Sequence, residues 1–151
     1  MIIFFYRVGY QLLRVYWFVL RPKTYGVQCV IEHEGKYLYV QHTYGKSLWN
    51  FPGGGINQGE TKEAAVRREI KEEVGITLNE IKFLGEFTHV IDYKQDMVYC
   101  FYARVEKDNF TKDNREIAEA KWFPNEQLPE PHAASVEKII YLFNENERAI
   151  H

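Results

Sequence analysis

The stretch GGINQGETKEAAVRREIKEEVGI, Gly54 to Ile76, opens on glycines, turns helical at Thr61 and stops at Gly75. Thr61 suits an N-cap and Gly75 a C-cap, and Ala64, Ala65, Val66, Ile70 and Val74 recur at helical spacing as a buried side. On the same helix Glu69, Glu72 and Glu73 stand at i, i+3 and i+4, which predicts one face carrying three carboxylates. That face is locally unfavourable. Like charges at this spacing cost roughly 0.2–0.5 kcal/mol per pair, and the last turns lie at the negative end of the helix dipole. One explanation is a solvated face of mixed sign, with Arg67, Arg68 and Lys71 relieving the strain. The other is a divalent cation, because clusters of carboxylates suit hard ions such as Mg2+ or Mn2+, which also bridge phosphate oxygens. Just ahead lies Pro52-Gly53-Gly54-Gly55, a backbone able to approach a ligand closely and offer its own amide or carbonyl groups. A cation, a phosphate-sized gap and a spare carboxylate are the parts that pyrophosphate hydrolysis needs. The cation neutralises the bridging oxygens and acidifies a water, and the carboxylate removes its proton.

Outward from this helix the chain reads as short strands. Segments 25–33 and 36–42 form a hairpin turning at Glu34-Gly35, and further strands are expected at 81–91, 96–105 and about 117–123. A closing helix over Ala133–Asn146 follows Pro129 and Pro131. Strands with flanking helices indicate an α+β or layered α/β domain. The 151 residues fit one such domain, and 46% hydrophobic against 26% charged residues exclude wholesale disorder. A net charge of −2 excludes a generic polyanion-binding surface, so no stable nucleic-acid partner is expected. Cys29 and Cys100 are far apart, with no zinc-ligand spacing around them. That argues against a disulfide scaffold and for a reducing, cytoplasmic compartment.

Residues 1–22 differ from the rest. Sixteen of the first twenty are apolar or aromatic, and residues 1–23 carry Arg7, Arg14, Arg21 and Lys23 but no acid, which leaves the remainder at −6. Arg7 and Arg14 interrupt the apolar run and no small-residue cleavage site follows, so a secretory signal does not fit. The spacing predicts an amphipathic helix closed by Pro22. Ile3, Tyr6, Tyr10, Leu13, Trp17 and Leu20 form a packing seam, and Arg7, Arg14 and Arg21 project to one side. Three partners for residues 1–20 remain open: the domain itself or a second copy in a homodimer, a membrane surface, or a membrane that the helix spans.

The stretch from Gly54 to Ile76 resembles the Nudix box, G-x5-E-x7-R-E-U-x-E-E-x-G-U, where U is a bulky aliphatic residue. Gly54, Glu60, Arg68, Glu69, Ile70, Glu72, Glu73, Gly75 and Ile76 fill every fixed position. From average composition, chance agreement in a chain this long is on the order of one in ten million. The resemblance implies an α/β/α sandwich around a mixed sheet over residues 23–151, with the helix of residues 1–22 outside it. It implies Mg2+- or Mn2+-dependent hydrolysis of a nucleoside diphosphate linked to another group. On that pattern Glu69, Glu73 and the Gly53 carbonyl ligate metal, Glu72 serves a further ion or a water, and Arg68 with Glu60 orients Glu69. Family members place a further acid some residues before a late Trp, which makes Glu116, and after it Glu119, candidates for ligand or base ahead of Trp122.

Signals for the substrate are thinner. Tyr93 falls where dinucleoside-polyphosphate hydrolases of the family carry a Tyr, and Phe51 and Gly54 border the expected site. Trp49, Tyr44, Phe51 and Tyr93 could stack on a base or simply pack. His42, His89 and His132 are acids or phosphate contacts on one reading and ordinary histidines on the other. The opposing functional class is a Nudix-like module that senses a nucleotide metabolite without cleaving it; such a module would be expected to have lost box carboxylates.

Overall fold

The computed structural model describes residues 2–20, 23–91 and 93–150. Alternate residues of Lys23–His33 (β1) serve two buried clusters, Val27, Cys29 and Ile31 on one side and Val30 on the other. Lys36–His42 (β2) divides in the same way, with Leu38 and Val40 against Tyr37 and Tyr39. Between the two strands Glu34 and Gly35 take φ of 46° and 74°, the left-handed pair that a tight hairpin turn requires. Gly53–Gly55 (β3), Lys82–Ile91 (β4), Lys94–Arg104 (β5) and Ile117–Pro124 (β6) complete a sheet of order β4-β5-β1-β2-β6, with β3 on β1. β1 is parallel to β5 and antiparallel to β2 and β3, so the sheet is mixed.

A sheet apolar on both faces needs cover on both. Lys62–Val74 (α2) lays Ala65, Val66, Ile70 and Val74 on the first cluster. Ala134–Ile150 (α3) brings Val136 and Ile139 to the second, which gives the expected α/β/α layers. The α2 caps are as expected: Thr61 accepts the Ala64 N–H at 3.1 Å and Gly75 has φ 68°. Ala64 itself is exposed rather than buried, and Glu73 lies on the buried side in its place. β5 starts two residues before position 96, and α3 runs past Asn146 to Ile150.

The N-terminal helix spans Ile2–Leu20 (α1). It meets the domain at the β4–β5 turn, where the Lys94 Nζ sits 3.7 Å from the Trp17 ring centroid and Phe18 packs edge-on against Tyr93 at 5.3 Å. The expected seam divides. Trp17 faces the domain with Tyr10 at its edge, 6.4 Å between centroids, while Leu13 and Leu20 are exposed. The side chains of Ile3 and Tyr6, and residues Arg21 and Pro22, lie outside the described residues. No helix among the described residues is long and apolar enough to cross a membrane, which counts against the spanning reading.

Candidate active site

Two glycines let three elements converge. A Cβ on Gly53 would run into the backbone of Val27 and Gln28, and one on Gly54 into the Glu69 carboxylate. Only without side chains can β3 lie between β1 and α2. Burial of Ile70 and Val74 against the sheet then turns Glu73 inward, to 2% exposure. There its Oε2 accepts the Gly53 N–H at 3.0 Å and its Oε1 meets His42 Nε2 at 3.1 Å. Glu69, one turn earlier, is bound by Arg68 Nη1 at 2.7 Å. The same nitrogen reaches Glu72 at 3.2 Å, although Glu72 is 58% exposed. Arg68 grips Glu60 through Nε at 2.7 Å and Nη2 at 2.9 Å, and Nη2 also donates to the Gly55 carbonyl at 2.9 Å. One guanidinium thus links Glu60, Glu69, Glu72 and β3, geometry suited to its planar fork of donors. Arg67 is taken by the carbonyls of Leu78 and Asn79, and Lys71 by Thr77, so neither relieves the acidic face.

The electrostatics follow. The Arg68 guanidinium, with the Asn57 N–H, holds the Glu60 carboxyl down at about 2. Glu60, and after it Glu69, raises Arg68 in turn. Burial pushes Glu69 up, Glu73 and Glu72 add to the push, and Arg68 opposes it. The hydrogen bond to Glu73 raises His42 against the effect of burial, with smaller contributions from Glu116 and Glu69.

Among the described residues, no three His, Cys, Asp or Glu side chains are gathered as a ready-made metal site, because Glu72 leans into solvent while Glu73 turns inward. The donor set nonetheless fits a hard divalent cation. Glu69 and Glu73 are two largely buried carboxylates one turn apart beside a glycine backbone, and Arg68 and His42 only partly offset their charge.

Other candidates are distributed unevenly. Glu116 is exposed in the segment before β6, its carbonyl takes the Thr43 N–H at 2.9 Å, and its charge reaches His42 and Tyr44. Glu119 lies within β6 opposite Gln41. Phe51 is fully buried and stacked on Tyr39 at 4.5 Å, so its ring serves the core. Tyr93 stands at the β4–β5 turn with its ring taken up by α1. Trp49 is buried in the α3-side cluster, edge-on to Phe123. His132 is bound to Glu137 and the Pro129 carbonyl near the start of α3.

A cavity of about 340 Å³ opens beside Gly53–Gly55 and His42. Its wall includes Gln28, Asn50 and Ser135, where Asn50 Oδ1 accepts from Gln28 at 2.8 Å and from Ser135 at 3.1 Å. Also in its lining, His89 pairs with Asp96 at 3.0 Å, and Asp96 accepts from Thr24 at 2.7 Å. Gln28, Asn50, Asp96 and Ser135 carried no local signal in the sequence. They meet only because β1, β5 and the start of α3 are brought together from distant parts of the chain.

The chain belongs to the Nudix family: the NUDIX domain model matches residues 21–143, which contain this whole constellation. Among curated relatives, an RNA pyrophosphohydrolase of Aliivibrio fischeri (strain MJ11) is 49% identical over 51 residues, 34% of this chain and 30% of that protein. One from Edwardsiella ictaluri (strain 93-146) is 40% identical over 74 residues, 49% of this chain and 40% of that protein. The chain therefore matches well under half the length of these relatives. Among solved structures, a MutT NUDIX hydrolase from Burkholderia pseudomallei superposes with a TM-score of 0.74 at 22% identity, covering 80% of this chain and 97% of that one. The NUDIX domain of Shewanella oneidensis NrtR, solved with ADP ribose, gives 0.72 at 21% identity, covering 85% and 90%. At such identities the likeness establishes the mixed α/β/α fold.

Proposed function

We propose that this protein is a divalent-cation-dependent pyrophosphohydrolase that cleaves a phosphoanhydride in a nucleoside diphosphate linked to another group, in a reducing, cytoplasmic setting. The observation that carries the reading is the lodging of Glu69 and Glu73 against Gly53–Gly54, with Arg68 gripping the first and His42 the second, beside a cavity of about 340 Å³. The activity of the RNA pyrophosphohydrolases matched over part of their length, and the ADP ribose in the NrtR domain, favour a nucleotide-type substrate.

Glu69 and Glu73, with the Gly53 carbonyl, would hold Mg2+ or Mn2+, and Glu72 would serve a further ion or a water. The ion supplies charge neutralisation on the phosphoanhydride oxygens and an acidified water. Arg68, anchored by Glu60, fixes the Glu69 carboxylate, and the Gly53 amide and His42 fix Glu73, so neither donor must be ordered at the moment of reaction. Glu116 or Glu72, both solvent-facing, accepts the proton from the attacking water.

The test is release of phosphate or nucleotide from a panel with Mg2+ or Mn2+, comprising ADP-ribose, nucleotide sugars, dinucleotides, nucleoside triphosphates and 5′-triphosphorylated RNA. Turnover of one class is expected. Absence of turnover on every member, with metal shown to be bound, would overturn the hydrolase reading and leave the metabolite-sensing module.

A further inference from the structure

On α1, Val8, Leu12, Val15, Tyr16 and Val19 recur in steps of three and four, which places them within one arc of about 100°. Each is between 42% and 70% exposed, and Leu13 and Leu20 beside the arc are exposed as well. The domain occupies the opposite side of the helix, through Arg14 on Tyr93, Trp17 on Lys94 and Phe18 on Tyr93. A helix packed on a water-soluble domain turns its apolar stripe inward; this one turns it outward, over a length of about 28 Å. A continuous exposed apolar stripe of this kind marks an interaction surface.

Charge selects the occupant. From Arg7 to Lys23 the segment is wholly basic, the first carboxylate is Glu32, and the remaining chain carries 21 acidic residues against 15 basic ones. A second copy would set basic helix against basic helix with no acid to pair. An anionic lipid surface attracts this segment while repelling the rest of the chain, and the aromatic ring of Tyr16, on the exposed stripe, suits the membrane interface. The helix is too polar to cross a bilayer but long enough to lie in its surface.

We propose that α1 lies in the plane of an anionic membrane surface, with Val8, Leu12, Val15, Tyr16 and Val19 immersed, and holds the Nudix domain against the bilayer. The proposal is independent of whether the domain hydrolyses its ligand. The full chain is mixed with vesicles of phosphatidylcholine and phosphatidylglycerol in roughly equal parts, or of phosphatidylcholine alone, and sedimented. It is expected to sediment with the anionic vesicles, less so with the neutral ones, and less as salt is raised. The pair Leu12→Asp and Val19→Asp should weaken partitioning by about tenfold or more. Arg7→Gln and Lys23→Gln, which leave the stripe intact, should each weaken it by about fivefold. Far-UV circular dichroism and melting of every variant are expected to match wild type, because the altered side chains are exposed. Equal sedimentation with both vesicle types, or none with either, overturns the proposal. So does a dimer in light scattering that the aspartate pair dissociates, which would make a second copy the occupant.

Discussion

Gly54→Ala separates the chemistry of the site from its stability. A Cβ at this position would stand 2.5 Å from the Glu69 Cδ, whereas ordinary contact starts near 3.4 Å, so the carboxylate must retreat by about 0.9 Å. The obstacle is the far end of a flexible side chain rather than backbone, and the loss of glycine freedom in the unfolded chain contributes about 0.4–1 kcal/mol in the opposite sense. Melting should therefore stay within about 4 °C of wild type. Misplacing a reacting group by about 1 Å costs on the order of a hundredfold, so kcat on the best panel substrate should fall by about that factor. Gly53→Ala is the control of opposite character. Its Cβ would press on the Val27 carbonyl and lie 2.8 Å from the Gln28 Cα, both backbone. Crowding that cannot relax costs about 1–3 kcal/mol, and here stability should drop. An unchanged kcat in Gly54→Ala would remove Glu69 from the reaction. A collapse of its melting temperature would refute the packing of β3 against α2.

Glu73→Gln keeps the shape of a buried side chain and removes its charge; kcat should fall by about a thousandfold with the fold intact, and retention of activity in a turnover assay would exclude Glu73 as a ligand. The hydrogen bond to Glu73 raises the folded-state value of His42 above its unfolded one, so the pair's stabilisation is complete below the ordinary histidine value of 6.5 and is lost as pH rises through the raised value. The melting difference between wild type and His42→Gln should thus be largest below the ordinary histidine value of 6.5 and shrink as pH rises above it; a difference that grows with pH contradicts the pairing. Ile70→Ala empties a fully buried position between α2 and the sheet and should cost about 2–5 kcal/mol in denaturant unfolding. A cost under about 1 kcal/mol would mean that α2 is not seated as described.

What was legible in the sequence was local. Thr61 and Gly75 announce the ends of α2, Glu34-Gly35 the hairpin, and the spacing from Gly54 to Ile76 the chemistry, because caps, turns and helical periodicity depend on near neighbours. The tilt of α2 on the sheet was not legible. It buries Glu73 and exposes Ala64, although spacing alone places Glu73 with Glu69 and Glu72 on a single face. Nor does spacing say that His42, thirty-one residues earlier, supplies the partner of Glu73, since that contact depends on the β2–β6 pairing and the seating of α2. Aromatic residues carried an ambiguous signal. In sequence Phe51 and Tyr93 could stack on a base or simply pack, because a ring serves either role, and in the fold Tyr39 and α1 take up these rings. The cavity wall of Gln28, Asn50, Asp96 and Ser135 arises wholly from long-range pairing, which no window of sequence reports.

For this site to act as proposed, Glu69 and Glu73 must share a divalent cation. Titration of Mn2+ into the wild-type protein and into the Glu69→Gln, Glu73→Gln double variant, followed by electron paramagnetic resonance of free Mn2+, measures this without any substrate. Saturable uptake by the wild type that the double variant loses is the predicted result. Equal uptake by both proteins, or none by the wild type, would contradict it.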